Sequence, residues 1–178
     1  MSRSPKAFVA WALCTALFAA GAGWPLLTQA TGPITIQKLA PFNPNLSVPA
    51  EVKLNCDLVT RIPAYIAENA NGKFDNIVLS DTPSTTTPGL ALAITIVGLS
   101  GKEGGLQTGA KHIVIEGTLW ENGKEQGSFR AKRRVGVTWG GSYKGTCNLL
   151  DRCAKLLGKD VAEWLQKPSV NARLGDET

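Results

Sequence analysis

The chain has 178 residues, 43% of them hydrophobic, and a formal net charge of +5. A chain of this size can bury a core of its own. Its mild positive charge is far from the concentrated basic field of a nucleic-acid-binding protein. Composition therefore predicts an ordinary globular domain and argues against nucleic acid as a partner.

The amino terminus has the pattern of a secretory signal peptide. Arg3 and Lys6 precede an apolar run over residues 7–20, and small residues follow. We expect cleavage after Ala30, with Ala22 as the alternative site and an uncleaved anchor as the alternative fate. The apolar run is shorter than the roughly 20 residues that a membrane span needs. The chain is therefore expected in the periplasm or outside the cell, with no stable span after cleavage.

The mature chain is predicted to be a single domain of mildly basic charge. Removal of residues 1–30 takes away two cations and no acid, so the formal charge falls from +5 to +3. Residues 31–50 hold a first strand and a proline-rich connector, and residues 51–168 hold the rest of the domain. Residues 169–178 are polar and are predicted to form a flexible tail.

Hydrophobic periodicity predicts seven elements in the order β-α-β-β-β-β-α. They are a strand at 33–39, a helix at 51–70, strands at 73–80, 90–99, 111–120 and 125–135, and a helix at 146–166. Pro63 is expected to kink the first helix or to divide it. Both helices can cover one face of a mostly antiparallel sheet, so the predicted fold is a two-layer α+β sandwich.

The turn of the hairpin at residues 111–135 decides which side chains share a face. A two-residue Asn-Gly turn would put Ile115 on the same face as Arg130. A three-residue loop, Glu121–Gly123, pairs Ile115 with Phe129 instead. Because a slip of one residue exchanges the faces, burial favours the three-residue loop, and a bulge elsewhere is the alternative.

Three cysteines follow the predicted signal peptide, namely Cys56, Cys147 and Cys153. Export favours oxidation, and the spacing of the last two fits neither structural zinc nor a redox pair. Six helical residues rise about 9 Å, beyond the roughly 7 Å limit between disulfide Cα atoms. A mutual bridge therefore needs a helix that begins near Asp151, whereas a helix from Thr146 needs a bridge to Cys56. We favour Cys56 with Cys153, because Cys153 lies on the apolar stripe.

No residue pattern indicates catalysis, a cofactor or a metal. The glycine-rich stretch at 98–105 lacks the spacing of a phosphate-binding loop. His112 is the single histidine of the chain and is predicted on the polar face of a strand. The carboxylates near strand ends have no spacing that is typical of acid–base pairs. The chain is therefore not expected to be an enzyme.

Two surfaces are candidates for binding. Arg130, Lys132 and Arg134 alternate onto one face of a strand and form a cationic stripe. Trp139 and Tyr143 lie among glycines in the following connection, where aromatic side chains suit glycan or protein recognition. A solvated sheet face and an aromatic cap on the core are the structural alternatives.

The element order, a long hairpin followed by one helix, resembles the family of TolB amino-terminal domains. It also resembles the domains of outer-membrane lipoproteins that activate penicillin-binding proteins. The resemblance covers about residues 33–166, and it implies an α+β fold and an accessory role in the bacterial envelope. We therefore expect an exported module that binds another envelope protein. An anionic envelope ligand, such as peptidoglycan, lipopolysaccharide or lipid, is the alternative partner.

Overall fold

The computed structural model describes residues 32–81, 83, 88–100, 109–136 and 145–177. Both candidate cleavage sites lie outside these ranges. The elements are β1 (Ile34–Gln37), α1 (Ala50–Asn55), α2 (Leu58–Ala70), β2 (Ile77–Ser80), β3 (Leu90–Ser100), β4 (Lys111–Glu121), β5 (Lys124–Val135), α3 (Thr146–Trp164) and β6 (Ala172–Gly175). No helix among the described residues is long and apolar enough to cross a membrane.

The six strands form one mixed sheet in the order β2-β1-β3-β4-β5-β6. The long ladders β3–β4 and β4–β5 are antiparallel, and the short pairings of β1 with β2, β1 with β3, and β5 with β6 are parallel. Helices α2 and α3 pack against each other and against one face of this sheet. They approach closely at Gly158, where an added Cβ atom would lie 2.7 Å from Tyr65. The predicted α+β class is confirmed.

The first predicted helix is divided at Asp57 and not at Pro63. Asp57 has a φ of 47°, in the left-handed region, which separates α1 from α2. Pro63 lies buried inside α2, where its missing N–H leaves the carbonyl of Val59 without a helical donor. The N–H of Ala40 donates to this oxygen at 2.9 Å. The connector after β1 therefore compensates the proline, and the helix continues through it.

The hairpin between β4 and β5 turns through two residues, Asn122-Gly123, so the predicted three-residue loop was wrong. Gln126 then has no partner in the ladder, and this bulge shifts the pairing beyond it. Ile115 pairs with Ala131 instead of Phe129. The predicted and observed registers differ by two residues, so both keep Ile115 on the covered face. Burial therefore predicted the correct face, while the bulge sets the partners.

The carboxy-terminal segment is a strand, so the predicted flexible tail was wrong for residues 172–175. β6 pairs in parallel with β5. On one side of it the N–H of Asn171 donates to the Ser128 hydroxyl at 3.1 Å. On the other side the Asp176 carboxylate accepts from the backbone N–H of Arg134 at 2.7 Å. These contacts join residues about 40 positions apart, so the local polar sequence carries no signal for them.

The disulfide joins Cys56 to Cys147, with 4.9 Å between their Cα atoms. Because α3 begins at Thr146, a mutual bridge within it is excluded, as the helical rise predicts. The predicted partner, Cys153, was wrong. It lies fully buried against β4, where its thiol donates to the carbonyl of Lys111 at 3.5 Å. Burial raises the pKa of the Cys153 thiol to about 11, so this thiol stays protonated and unreactive.

Candidate binding surface on the open face of the sheet

The sheet has one face covered by helices and one open face, and successive residues of each strand alternate between them. On β3, Ile94 is 1% exposed and belongs to the core. Its neighbours Ala93 and Thr95 lie on the open face and are partly exposed. On β4, Thr118 pairs with Ala93 and shares that face. The centre of the open face is therefore built from small, uncharged side chains.

A concave groove of about 590 Å³ occupies this part of the open face. Ala93, Thr95 and Thr118 lie in it, with Asn43 of the connector and Trp120 of β4 also lining it. Trp120 is partly exposed and was not among the residues predicted to bind. The alternation of polar residues along β4 would have placed it on the open face. Such a groove offers a partner both an aromatic surface and polar hydrogen-bonding groups.

Arg130, Lys132 and Arg134 lie on the open face, beside the groove, as their alternation predicts. Their charges are not equivalent. Arg130 forms an ion pair with Glu116, and its Nε lies 3.6 Å from Oε1 of Glu177. Across the described part of the chain, no carboxylate lies within 4.0 Å of the side-chain nitrogens of Lys132 or Arg134. Within the part of the chain that the structure describes, the predicted stripe therefore consists of one neutralised and two uncompensated cations.

His112 lies at the uncompensated end of the stripe. It pairs across the ladder with Arg134 and is partly buried. Burial lowers the pKa of His112, and the charges of Lys132 and Arg134 lower it further. Lys111, the residue before His112, is 1% exposed on the covered side, and burial lowers the pKa of its amine. Lys111 is therefore not part of the open face.

Trp139 and Tyr143, the second predicted surface, lie outside the described residues. In sequence they connect β5 to α3 and follow directly on the end of β5 that carries Arg134. Their role in binding stays a prediction.

The covered side carries a polar cluster between α2 and α3 that sequence reasoning missed. The Asp151 carboxylate accepts hydrogen bonds from Tyr65 at 2.6 Å and from Arg61 at 2.7 Å. Lys155 lies 3.2 Å from its second oxygen. Asp151 and Lys155 are four residues apart in α3, which was the one local signal for the cluster. Because every oxygen has a cationic or hydroxyl partner, the cluster fastens the two helices together.

A second ion pair ties the sheet to α3. Arg133 of β5 donates from two nitrogens to the two oxygens of Asp160, each at 2.6 Å. Its third nitrogen lies 3.3 Å from the carboxylate of Asp176. Hydrogen bonding to Asp160 raises the pKa of Arg133. This arginine therefore holds α3 and the end of β6 to β5.

The described residues contain no group of three or more histidines, cysteines, aspartates or glutamates that could hold a metal ion.

No family model matches the sequence. No curated protein matches it either.

Solved structures of similar shape have very different sequences. A protein of family DUF330 from Xanthomonas campestris aligns with 80% of this chain and 89% of its own, at 10% identity and a TM-score of 0.51. The PelC dodecamer from Paraburkholderia phytofirmans has a TM-score of 0.45 at 10% identity, covering 76% of this chain and 91% of its own. A minor lipoprotein from Acinetobacter baumannii has a TM-score of 0.40 at 11% identity, with coverages of 78% and 92%. The first of these shows a shared fold. The narrower resemblance to TolB and penicillin-binding-protein-activator domains stays a prediction.

Proposed function

We propose that this protein is an exported accessory module of the bacterial envelope that binds another envelope protein through the open face of its sheet. The observation that carries the proposal is the groove of about 590 Å³ on a sheet face that the helices leave uncovered. The groove has a floor of small residues, including Ala93 and Thr95, and Trp120 on its lining. A partner side chain or loop can enter such a surface and bury Trp120, the residue type most enriched in binding hot spots.

The location in the envelope is supported by two independent features of the chain. The first 30 residues have the order of charged, apolar and small residues that directs export. The Cys56–Cys147 disulfide is of the kind that persists in oxidising compartments such as the periplasm.

A protein partner is favoured by the charge pattern around the groove. Arg130 and Glu116 form an ion pair at its edge, and Arg173 of β6 lies 3.5 Å from Glu177. Charges of both signs beside an uncharged centre are typical of the rim and core of protein interfaces. Such a rim sets the register of a partner and slows the binding of wrong ones.

The test is a cross-linked pull-down from the envelope fraction with a substitution that fills the groove. Thr118→Arg places a long cation in the centre of the open face, and Thr60→Arg places the same side chain on the exposed surface of α2. We expect one dominant partner, identified by mass spectrometry, that Thr118→Arg loses and Thr60→Arg retains. Circular dichroism must show that both variants are folded. Retention of every partner by Thr118→Arg, or equal loss from both variants, would refute the proposal.

Reversal of the Arg130 charge is a poorer test of the same surface. An acid at this position would face Glu116 and Glu177, and like charges in contact destabilise the fold. A loss of binding would then report unfolding as well as a lost contact.

A further inference from the structure

His112, Lys132 and Arg134 form a compact cationic cluster at one end of the open face. His112 and Arg134 are directly paired across the β4–β5 ladder, and Lys132 pairs with Val114, the next open-face position of β4. Directly paired residues have Cβ atoms about 5 Å apart, and diagonal neighbours about 7–8 Å apart. The three side chains therefore start within reach of one small ligand.

The described surroundings do not neutralise this cluster. Ser100 of β3 lies opposite His112 on the other side and carries no charge. Glu116, the acid further along the same face of β4, is engaged by Arg130. Asp176 approaches the strand, but its oxygens accept from the backbone N–H of Arg134 and from the guanidinium of Arg133.

Three side chains that can be positively charged lie on adjacent positions of one face, and their charges repel one another. Water screens the charge of the partly buried imidazole less than that of an exposed group, so the repulsion is stronger there. On the covered side of the same strand, Arg133 is matched by Asp160 with two hydrogen bonds. The contrast shows that α3 supplies a carboxylate partner to the cation of β5 that has a structural role. An anion from outside the chain would give the cluster the partner that the described residues do not supply.

We infer that His112, Lys132 and Arg134 bind a phosphate group. Arginine binds phosphate oxygens through two parallel N–H groups, lysine adds a point charge, and a protonated imidazole adds a positive charge and a second N–H donor. The inference goes beyond the proposed protein partner and does not depend on it, since the cluster lies beyond the ion pair of Arg130 with Glu116, outside the neutral part of the groove.

The site can be tested by nuclear magnetic resonance, because His112 is the only histidine of the chain. The mature protein, purified without a histidine tag, has a single imidazole signal to follow. Addition of inorganic phosphate at low ionic strength should shift this signal saturably, with a dissociation constant of about 1 mM, as expected for a few charge-assisted hydrogen bonds. The double variant Lys132→Gln/Arg134→Gln should bind at least about tenfold more weakly.

The matched control also removes two positive charges, but from surfaces away from the cluster. Lys53→Gln/Lys124→Gln changes two exposed lysines on α1 and at the hairpin turn and should leave the affinity within about twofold of the wild-type value. If both double variants weaken binding equally, the effect is one of net charge and the site is refuted. The absence of a saturable shift in the wild-type protein refutes it as well.

A pH titration in the presence of inorganic sulfate gives a second readout. Sulfate remains a dianion over the pH range in which phosphate itself changes its charge, so within the cluster only the charge of His112 varies. A bound anion stabilises the imidazolium, so sulfate should raise the pKa of His112 from its lowered value. By linkage, the affinity for sulfate should rise as the pH falls through that pKa. An unchanged His112 titration at saturating sulfate contradicts the inference.

The source of the phosphate group is distinguished by vesicles. Co-sedimentation is compared for phosphatidylcholine vesicles and for vesicles that contain phosphatidylglycerol. Binding that requires phosphatidylglycerol and is lost in Lys132→Gln/Arg134→Gln supports a lipid headgroup. Saturable binding of inorganic phosphate without vesicle binding supports a soluble phosphate-bearing ligand. Failure in both assays overturns the inference and leaves the proposed protein partner untouched.

Discussion

The covered and open faces of the sheet carry side chains of opposite character, although the same strands supply both. On the covered face Ile94 and Ile115 are at most 1% exposed and pack under α2 and α3. Each such side chain contributes about 1.5–3 kcal/mol when it is buried. On the open face, Ala93, Thr95 and Thr118 bury little apolar area.

The two faces also differ in how their charged side chains are paired. On the covered side, Asp151 is bound by Arg61, Tyr65 and Lys155. On the open side, Lys132 and Arg134 have no carboxylate within 4.0 Å among the described residues. Stability is therefore concentrated on the helical side, and the residues of the open face are free to serve the proposed binding function. Substitutions on the two sides should accordingly separate stability from binding.

The largest effect is expected on removal of the bridge that ties α1 to α3. The double variant Cys56→Ala/Cys147→Ala opens a loop whose ends are 91 residues apart, which should lower the free energy of unfolding by about 4 kcal/mol. Urea denaturation measures this loss, and dithiothreitol should reproduce it in the wild-type protein. Cys153→Ala is the control, since it should leave the sensitivity to dithiothreitol intact. A wild-type protein of equal stability with and without dithiothreitol would contradict the prediction.

Adjacent residues of β3 provide the most direct comparison of the faces. Ile94→Ala should lower the free energy of unfolding by about 2–5 kcal/mol, because it leaves a cavity under the helices. Thr95→Ala, one position further and on the open face, should cost less than about 1 kcal/mol. Urea denaturation of both variants measures the difference. Equal costs would mean that the open face is covered in the folded protein.

A smaller, pH-dependent effect is expected at Asp151. Burial by itself would raise the pKa of this carboxyl, but hydrogen bonds from Tyr65, Arg61 and Lys155 lower it. A folded-state pKa below the unfolded value of about 3.9 means that the carboxylate stabilises the fold above about pH 4. This contribution is lost as the pH falls through the lowered pKa. Asp151→Asn should therefore cost about 1–2 kcal/mol at pH 7 and progressively less in acid.

Glu163→Gln is the control for the acid titration. Its carboxylate lies 3.9 Å from Lys159 and is more than half exposed, so the substitution should cost less than about 0.5 kcal/mol at any pH. Thermal unfolding over a pH series measures both variants. A destabilisation by Asp151→Asn that stays constant through the acid range would show that the ionised form has no special role.

The strands from β1 to β5 and the long helices were largely predictable because each has a local periodicity. The alternation along β5 placed Arg130, Lys132 and Arg134 on one face without any knowledge of their neighbours. The same pattern did not reveal that Arg130 is neutralised, since Glu116 lies on the neighbouring strand and Glu177 comes from the segment after α3. Trp120 was missed for a related reason, because the groove that it lines is formed jointly by residues of β3, β4, β5 and β6.

Long-range pairing explains the predictions that were wrong. The choice of Cys147 over Cys153 depends on which side of α3 faces α1. Helical periodicity alone does not distinguish the side of α3 that faces α1 from the side that faces the sheet. β6 has no apolar pattern and forms through hydrogen bonds to β5 and through Asp176. The bulge at Gln126 depends on the pairing of two strands and not on either one.

The sequence by itself determined the α+β class, the approximate position of each long element and the face on which the three stripe cations lie. These properties follow from the spacing of apolar residues, which each segment carries within itself. The tertiary structure decided the disulfide partner, the added strand β6, the bulged register and the division of the stripe into neutralised and uncompensated cations. Each of these depends on contacts between residues far apart in the chain, where small differences in packing and hydrogen bonding select one arrangement among several with the same local pattern.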